Sequence, residues 1–313
     1  MIYVKLPLNL TEVAYLRTRS AGEELCLEQD IPDSERRAAF LAAEIVLGNV
    51  PPDWLTASDQ LRWAQLSSAG FRPYSTLSDR DLNFAITNCA GVFGIPVAET
   101  ALAGILALVR GIPTFVRDKG ERHWRGDLIR PELGKLSGSQ VILLGHGDIG
   151  GSVRRMLQGF GCMVSTMGHR RGSGADFYTV EELDNRLPAA DVVVAALPET
   201  EQTVGLFGPD RLALLAPHCI LVNVGRGSLI DEAALLEQLR AGKLGGAVLD
   251  VTGHEPLPED DPLWTAPRTL LTQHSAGGAR DEHRLIIDRF LHNFRRFRSG
   301  EPLEYVVDLG RGY

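Results

Sequence analysis

Three side chains in the second half of this chain have the types and spacing for chemistry: Arg226, Glu255 and His274, each at the end of a short apolar run. A guanidinium offers a planar fork of donors to an anionic group. An imidazole gives and takes protons near neutral pH, and a carboxylate beside it holds it in position and favours its charged form. Together, beyond a dinucleotide-type loop, they suggest hydride transfer to a carbonyl.

Upstream lies Gly145-His146-Gly147-Asp148-Ile149-Gly150, directly after the apolar run 141–144 and at the head of a helical pattern over residues 151–160. In such a strand, turn and helix the first glycine allows the tight turn. The second lets backbone N–H groups approach a pyrophosphate, and the third lets the helix pack on the strand. The phosphate then sits at a helix N-terminus, where the dipole is positive. In a chain with 33 glycines such a spacing is weak by itself. The flanking strand and helix are what make Gly145, His146, Gly147, Asp148 and Ile149 a candidate dinucleotide site, and they point to hydride transfer.

An acid that bonds the adenosine ribose of NAD is due about 20 residues further on. The chain instead reads Met167-Gly168-His169-Arg170-Arg171-Gly172, with no acid until Asp176. Guanidiniums at Arg170 and Arg171, beside His169, suit a 2′-phosphate, where loss of one charge-assisted contact costs about 1.5–3 kcal/mol. NADPH is therefore favoured, with NAD as the alternative; otherwise the two arginines lie on an ordinary solvated turn.

The elements that must position these groups need room. A chain of 313 residues exceeds what one hydrophobic core usually serves, so two domains are expected. A formal charge of −8 and a pI near 5.5 argue against a nucleic-acid or acidic-membrane binder and leave small molecules as partners. Cys26, Cys89, Cys162 and Cys219 are widely spaced with no C-x-x-C pair, which fits reduced thiols of a cytoplasmic protein. Residues 1–10 lack a basic segment followed by a long apolar one, and the apolar stretch 98–109 is too short to span a bilayer. The expectation is a soluble, unprocessed protein. His254-Glu255 has no second histidine at zinc-binding spacing, and no metal site is read.

Short apolar runs at 2–6, 24–27, 44–47 and 63–66 alternate with helical patterns, which favours a parallel sheet covered on both faces. The pattern changes at Pro96: residues 97–109 predict a long apolar helix linking the domains, followed by a charged, aromatic segment over 117–130. A second series of strands is predicted at 141–144, 163–167, 192–197, 220–224, 247–250 and 269–272, a doubly wound set. Helical spacing over 281–297 and an extended 305–309 return to the first domain. The fold class is thus α/β, with two doubly wound parallel-sheet domains. Residues 1–96 plus 282–313 form a flavodoxin-like substrate domain, and residues 97–281 form a Rossmann dinucleotide-binding domain.

Three stretches carry a resemblance. Leu221-Val222-Asn223-Val224-Gly225-Arg226-Gly227, Leu249-Asp250-Val251-Thr252-Gly253-His254-Glu255-Pro256-Leu257-Pro258 and Leu271-Thr272-Gln273-His274-Ser275-Ala276-Gly277 closely resemble, in order, motifs of the D-isomer-specific 2-hydroxyacid dehydrogenases. Glu132-Leu133-Gly134-Lys135-Leu136, residues 191–198 followed by Thr203, and Gly94-Ile95-Pro96-Val97-Ala98-Glu99 extend the likeness over almost the whole chain.

The resemblance implies reduction of a small 2-oxo acid to the D-2-hydroxy acid, glyoxylate and hydroxypyruvate being the natural candidates. Arg226 would anchor the carboxylate and polarise the carbonyl, His274 would transfer the proton, and Glu255 would orient His274. It also implies that Asp250 meets the nicotinamide carboxamide, and that Leu197, Pro198, Thr203, Val224, Gly225 and Gly277 line the cofactor. Leu47-Gly48 and Ala69-Gly70 would offer backbone amides to the substrate carboxylate, unless they are simple strand-ending turns. Trp124 either reaches a partner subunit's site or packs a homodimer interface. Two positions depart from the family's pattern: Thr252 replaces an aromatic residue, and Gln273 replaces proline. Other readings are a dehydrogenase of another small anion such as phosphite, and a nucleotide-sensing protein of corepressor type.

Overall fold

Continuous runs of β-branched and aliphatic residues fold as strands buried on both faces, which is what a parallel sheet covered by helices demands. The computed structural model describes residues 1–311 and separates into two units, Met1–Phe93 with the C-terminal segment from Ala279, and Gly94–Gly278. The divisions fall three residues before those expected from the sequence at either end of the second unit.

In the first unit β1 (Ile2–Lys5), β2 (Leu25–Leu27), β3 (Ile45–Gly48), β4 (Trp63–Gln65) and β5 (Ala85–Thr87) form a parallel sheet in the order β2-β1-β3-β4-β5. This is the flavodoxin-like order, with its reversal between β1 and β3. β5 has no counterpart in the sequence reading; Ile86 is its only large aliphatic residue. The C-terminal helix Glu282–Ser299 covers one face, its Phe290 ring stacked on Trp63 with centroids 5.1 Å apart. Of the extended segment expected at 305–309, Val306 makes one antiparallel bridge to Thr87, and Leu309–Arg311 turns as a short 3-10 helix.

The second unit holds β6 (Gln140–Leu144), β7 (Met163–Met167), β8 (Val192–Ala195), β9 (Ile220–Asn223), β10 (Gly246–Leu249) and β11 (Thr269–Leu271), all parallel, in the order β11-β10-β9-β8-β6-β7. Outside β7 a single parallel bridge, Met167 to Phe177, stands where the usual Rossmann order places another strand. The order reverses at β6, so the carboxyl ends of β6 and β8 flank the crevice where such sheets bind ligands.

The apolar helix runs Gly94–Val109, with Pro96 in its first turn, where a missing N–H costs nothing. It does not merely link domains. It packs on the helix Asp148–Gly159, and its Gly104 presses so close to Val248 that a methyl there would stand 2.5 Å from the valine side chain. No single helix among the described residues is long and apolar enough to cross a membrane.

Candidate active site

The glycine turn fits the role its spacing suggests, with one refinement. Gly145 has φ +108°, and a side chain there would stand 2.6 Å from the Ala196 carbonyl oxygen, so the turn needs glycine for both reasons. Gly147 precedes the helix Asp148–Gly159 and faces open space, leaving the helix N-terminus accessible to a phosphate. Gly150 is pressed against the Gly145 carbonyl, so the third glycine lets the helix pack on the turn itself rather than on the strand. His146 and Asp148 are exposed, and Ile149 is half-buried.

After β7, His169, Arg170 and Arg171 are all exposed, with the Arg171 guanidinium 5.9 Å from the Tyr178 ring centroid. Asp176, the next acid, is spent on structure: its Oδ2 accepts the Thr166 amide at 2.7 Å and lies 3.5 Å from Arg154. After β8, the Leu197 carbonyl packs on Gly225, where a methyl would stand 2.5 Å away. The Thr203 hydroxyl donates to the Pro198 carbonyl at 2.8 Å, closing the turn that follows. Val224 is buried and donates its amide to Ala195.

β9, β10 and β11 are parallel neighbours, so the residues that follow them emerge at one sheet edge. At the end of β9 the buried Asn223 acts as a clamp: its Oδ1 accepts the Gly225 amide at 3.1 Å, and its Nδ2 donates to the Arg226 carbonyl at 2.8 Å. Arg226 is thereby held extended and half-buried. Its Nη1 donates to the Gly225 carbonyl at 2.6 Å; the rest of the fork has no partner among the described residues.

After β10 the Glu255 carboxylate divides its work. Oε1 accepts the Thr252 amide at 3.0 Å, and Oε2 lies 2.6 Å from His274 Nδ1. A carboxylate only accepts, so the imidazole carries its proton on Nδ1, and Nε2 is left for exchange with a ligand. Thr252, the departure from the family's aromatic residue, braces this loop twice, because its hydroxyl also donates to the His254 carbonyl at 2.8 Å.

After β11, Gln273 and His274 both have φ +54°, in the left-handed region. Proline, fixed near −65°, has no access to that conformation, so Gln273 marks a different turn rather than a swapped side chain. Asp250 holds the turn together. Its backbone carbonyl accepts the His274 amide at 2.5 Å, while its buried Oδ1 accepts the Ser275 and Ala276 amides, both at 3.0 Å, and the Thr272 hydroxyl at 2.6 Å. Oδ2 has no partner among the described residues. Gly277 lies in the next turn, closed by the Gly278 amide on the Ser275 carbonyl.

In the first unit Leu47 is fully buried in the core, so only its backbone is available to a ligand. Gly48, at φ +123°, is pressed against the Lys5 carbonyl, which by itself requires glycine. The loop carrying Ala69 and Gly70 is bracketed by two asparagines. Asn49 Oδ1 accepts the Ser67 amide at 3.1 Å, and Asn88 Nδ2 donates to the Ala69 carbonyl at 2.6 Å. Asn49, Asn88 and Asn223 had no role in the sequence reading, and Thr252 was noted only as a departure from the family's pattern. The usable signal was an asparagine at or just beyond a strand's end, where its side chain bonds turn backbone.

An α/β chain whose second sheet joins a glycine turn to a cation and a carboxylate-held imidazole has the parts of a dinucleotide-dependent oxidoreductase. The model for the D-isomer specific 2-hydroxyacid dehydrogenase NAD-binding domain matches residues 102–276, and the chain belongs to this family of NAD(P)-dependent oxidoreductases. Over 223 residues, 70% of each chain, it is 34% identical to glyoxylate/hydroxypyruvate reductase A of Salmonella newport (strain SL254). A D-isomer specific 2-hydroxyacid dehydrogenase family protein from Aeromonas salmonicida subsp. salmonicida A449 superposes with a TM-score of 0.82 at 31% identity, covering 98% of both chains. The NADPH-dependent glyoxylate/hydroxypyruvate reductase of Sinorhizobium meliloti, solved with NADP and sulfate, gives a TM-score of 0.83 at 25% identity, covering 100% of this chain and 99% of that one.

Proposed function

We propose that this chain reduces glyoxylate or hydroxypyruvate to the D-2-hydroxy acid with NADPH. The 2.6 Å contact of His274 Nδ1 with Glu255, together with an Arg226 fork only one of whose nitrogens is engaged by the backbone, carries the reading. The dinucleotide fits the open helix N-terminus at Gly147 and the guanidiniums of Arg170 and Arg171, and Asp250 Oδ2 is an acceptor suited to its carboxamide. When bound, it supplies the hydride. Arg226 pairs with the substrate carboxylate and draws electron density from the adjacent carbonyl. His274 Nε2 gives its proton to the carbonyl oxygen as charge develops there, and Glu255 balances the imidazolium before transfer and keeps the ring aimed.

The names of the Salmonella and Sinorhizobium relatives support the substrate class, and the latter's bound NADP supports the cofactor. The same reading makes the protein a cytoplasmic homodimer. Trp124, 93% exposed next to an Arg125 held at 2.7 and 2.8 Å by the buried Asp118, forms part of the subunit contact.

A panel of 2-oxo acids, with phosphite in the oxidative direction, tests this by following absorbance with NADPH and NADH. Glyoxylate or hydroxypyruvate should give the largest kcat/KM, and His274→Ala should lower turnover by roughly 100-fold or more. Turnover of phosphite and of no 2-oxo acid would replace the proposal.

A further inference from the structure

The loop carrying Glu255 is tied to the segment carrying Arg226 at two places. Gly227 packs its Cα directly on the Thr252–Gly253 peptide, where any side chain would collide with backbone. The second tie is a carboxylate. Glu232 opens the helix Glu232–Arg240, and its Oε1 accepts the Gly253 amide at 2.7 Å. A methyl on Gly253 would stand 3.1 Å from Glu232 Oε2, so both oxygens lie against this residue.

An acid in a helix's first turn is ordinarily a solvated group serving the dipole. This one is half-buried. Burial raises its pKa above the usual carboxylate range, the Gly253 amide opposes that, Asp261 and Glu255 raise it further, and His254 lowers it. A carboxylate placed among other acids and aimed at one loop amide is better explained by what that amide positions. Gly253 follows Thr252, whose amide grips Glu255 Oε1, and precedes His254, whose carbonyl takes the Thr252 hydroxyl.

We propose that Glu232 is a positioning residue for proton transfer: through the Gly253 amide it holds residues 252–255 where the Glu255 carboxylate meets the His274 imidazole. It acts through Glu255 rather than on the substrate. The inference rests on the role given to Glu255 above.

The test compares Glu232→Ala, which removes the acceptor, with Glu232→Gln, which removes the charge and keeps an oxygen for the Gly253 amide. Glyoxylate and NADPH are used with the full chain, and thermal midpoints confirm folding. Glu232→Ala should lower kcat roughly 10- to 100-fold, with the KM for NADPH within about twofold, as expected for a misaimed catalytic group. Glu232→Gln should stay within about threefold of the parent.

In a Glu255→Gln background, adding Glu232→Ala should cost no more than about twofold further, since residues acting through one another are not additive. Glu232→Gln as impaired as Glu232→Ala, or a full further loss in the double variant, overturns the positioning role. Undiminished turnover in Glu255→Gln alone overturns the assignment of Glu255 and this inference with it. Loss in Glu255→Gln with normal turnover in Glu232→Ala overturns this inference only.

Discussion

Gly227→Ala is the sharpest probe of how the segment carrying Arg226 and the loop carrying Glu255 share their space. The added methyl carbon would stand 2.5 Å from Gly253 N and closer still to the Thr252 carbonyl. Close carbon–oxygen approaches between backbones are about 3.3 Å, so the peptides must part by more than ~1 Å. Both partners are backbone, and no side chain can swing aside. The displacement therefore acts on the segment after Arg226 on one side and on Thr252, which holds Glu255, on the other. A shift of that size costs on the order of 100-fold in rate when it separates groups that must meet one substrate. Overpacking of this kind also costs about 1–3 kcal/mol of stability.

The assay is initial velocity with saturating NADPH and varied glyoxylate, alongside thermal unfolding. The expected outcome is a fall in kcat/KM of roughly 30- to 300-fold and a midpoint lowered by a few degrees, with NADPH binding affected far less than kcat/KM because β8 separates β9 from the strand that carries the glycine turn. Wild-type kcat/KM in a folded Gly227→Ala protein would refute the tight coupling of the two loops.

Two further outcomes are expected. Arg170→Asp combined with Arg171→Ala should raise the KM for NADPH by about 10- to 150-fold and that for NADH far less; equal changes would show that the guanidiniums sit on a merely solvated turn. Burial pushes the Cys89 and Cys219 thiols up from 9.0 to about 12. Both are neutral in the fold, so the stability they contribute is complete below pH 9 and is lost as pH rises from about 9 toward 12, by on the order of 1 kcal/mol per unit for each thiol. The urea midpoint should fall across that range and fall less steeply in Cys219→Ala; identical slopes would contradict it.

The centre of the second sheet was legible in the sequence because β6, β8, β9 and β10 are near-continuous aliphatic runs, the pattern that burial on both faces imposes. β5 was not, since Ile86 is its only large aliphatic residue. Leu47 shows a further limit: an apolar residue beside a glycine reads equally as a site loop or a strand end, and only the Lys5 carbonyl pressed on Gly48 shows why that glycine is needed. The side chains with evident chemistry, Arg226, Glu255 and His274, announce themselves by type. Asn223 and Glu232 do not, because their partners are backbone groups, and a sequence does not record which amide a carboxylate meets. Gln273 could be noted as a departure, but its meaning lay in a left-handed backbone that no residue type there reveals.

The C-terminal helix Glu282–Ser299, stacked on Trp63 through Phe290, sets the order in which the molecule can mature. The first 93 residues leave the ribosome without the cover for one face of their sheet, and all of Gly94–Gly278 must be synthesised before that cover exists. At ordinary elongation rates the wait is roughly 10–40 s. During it the contiguous unit can finish folding, while the sheet face around Trp63 stays without the helix that covers it in the finished fold.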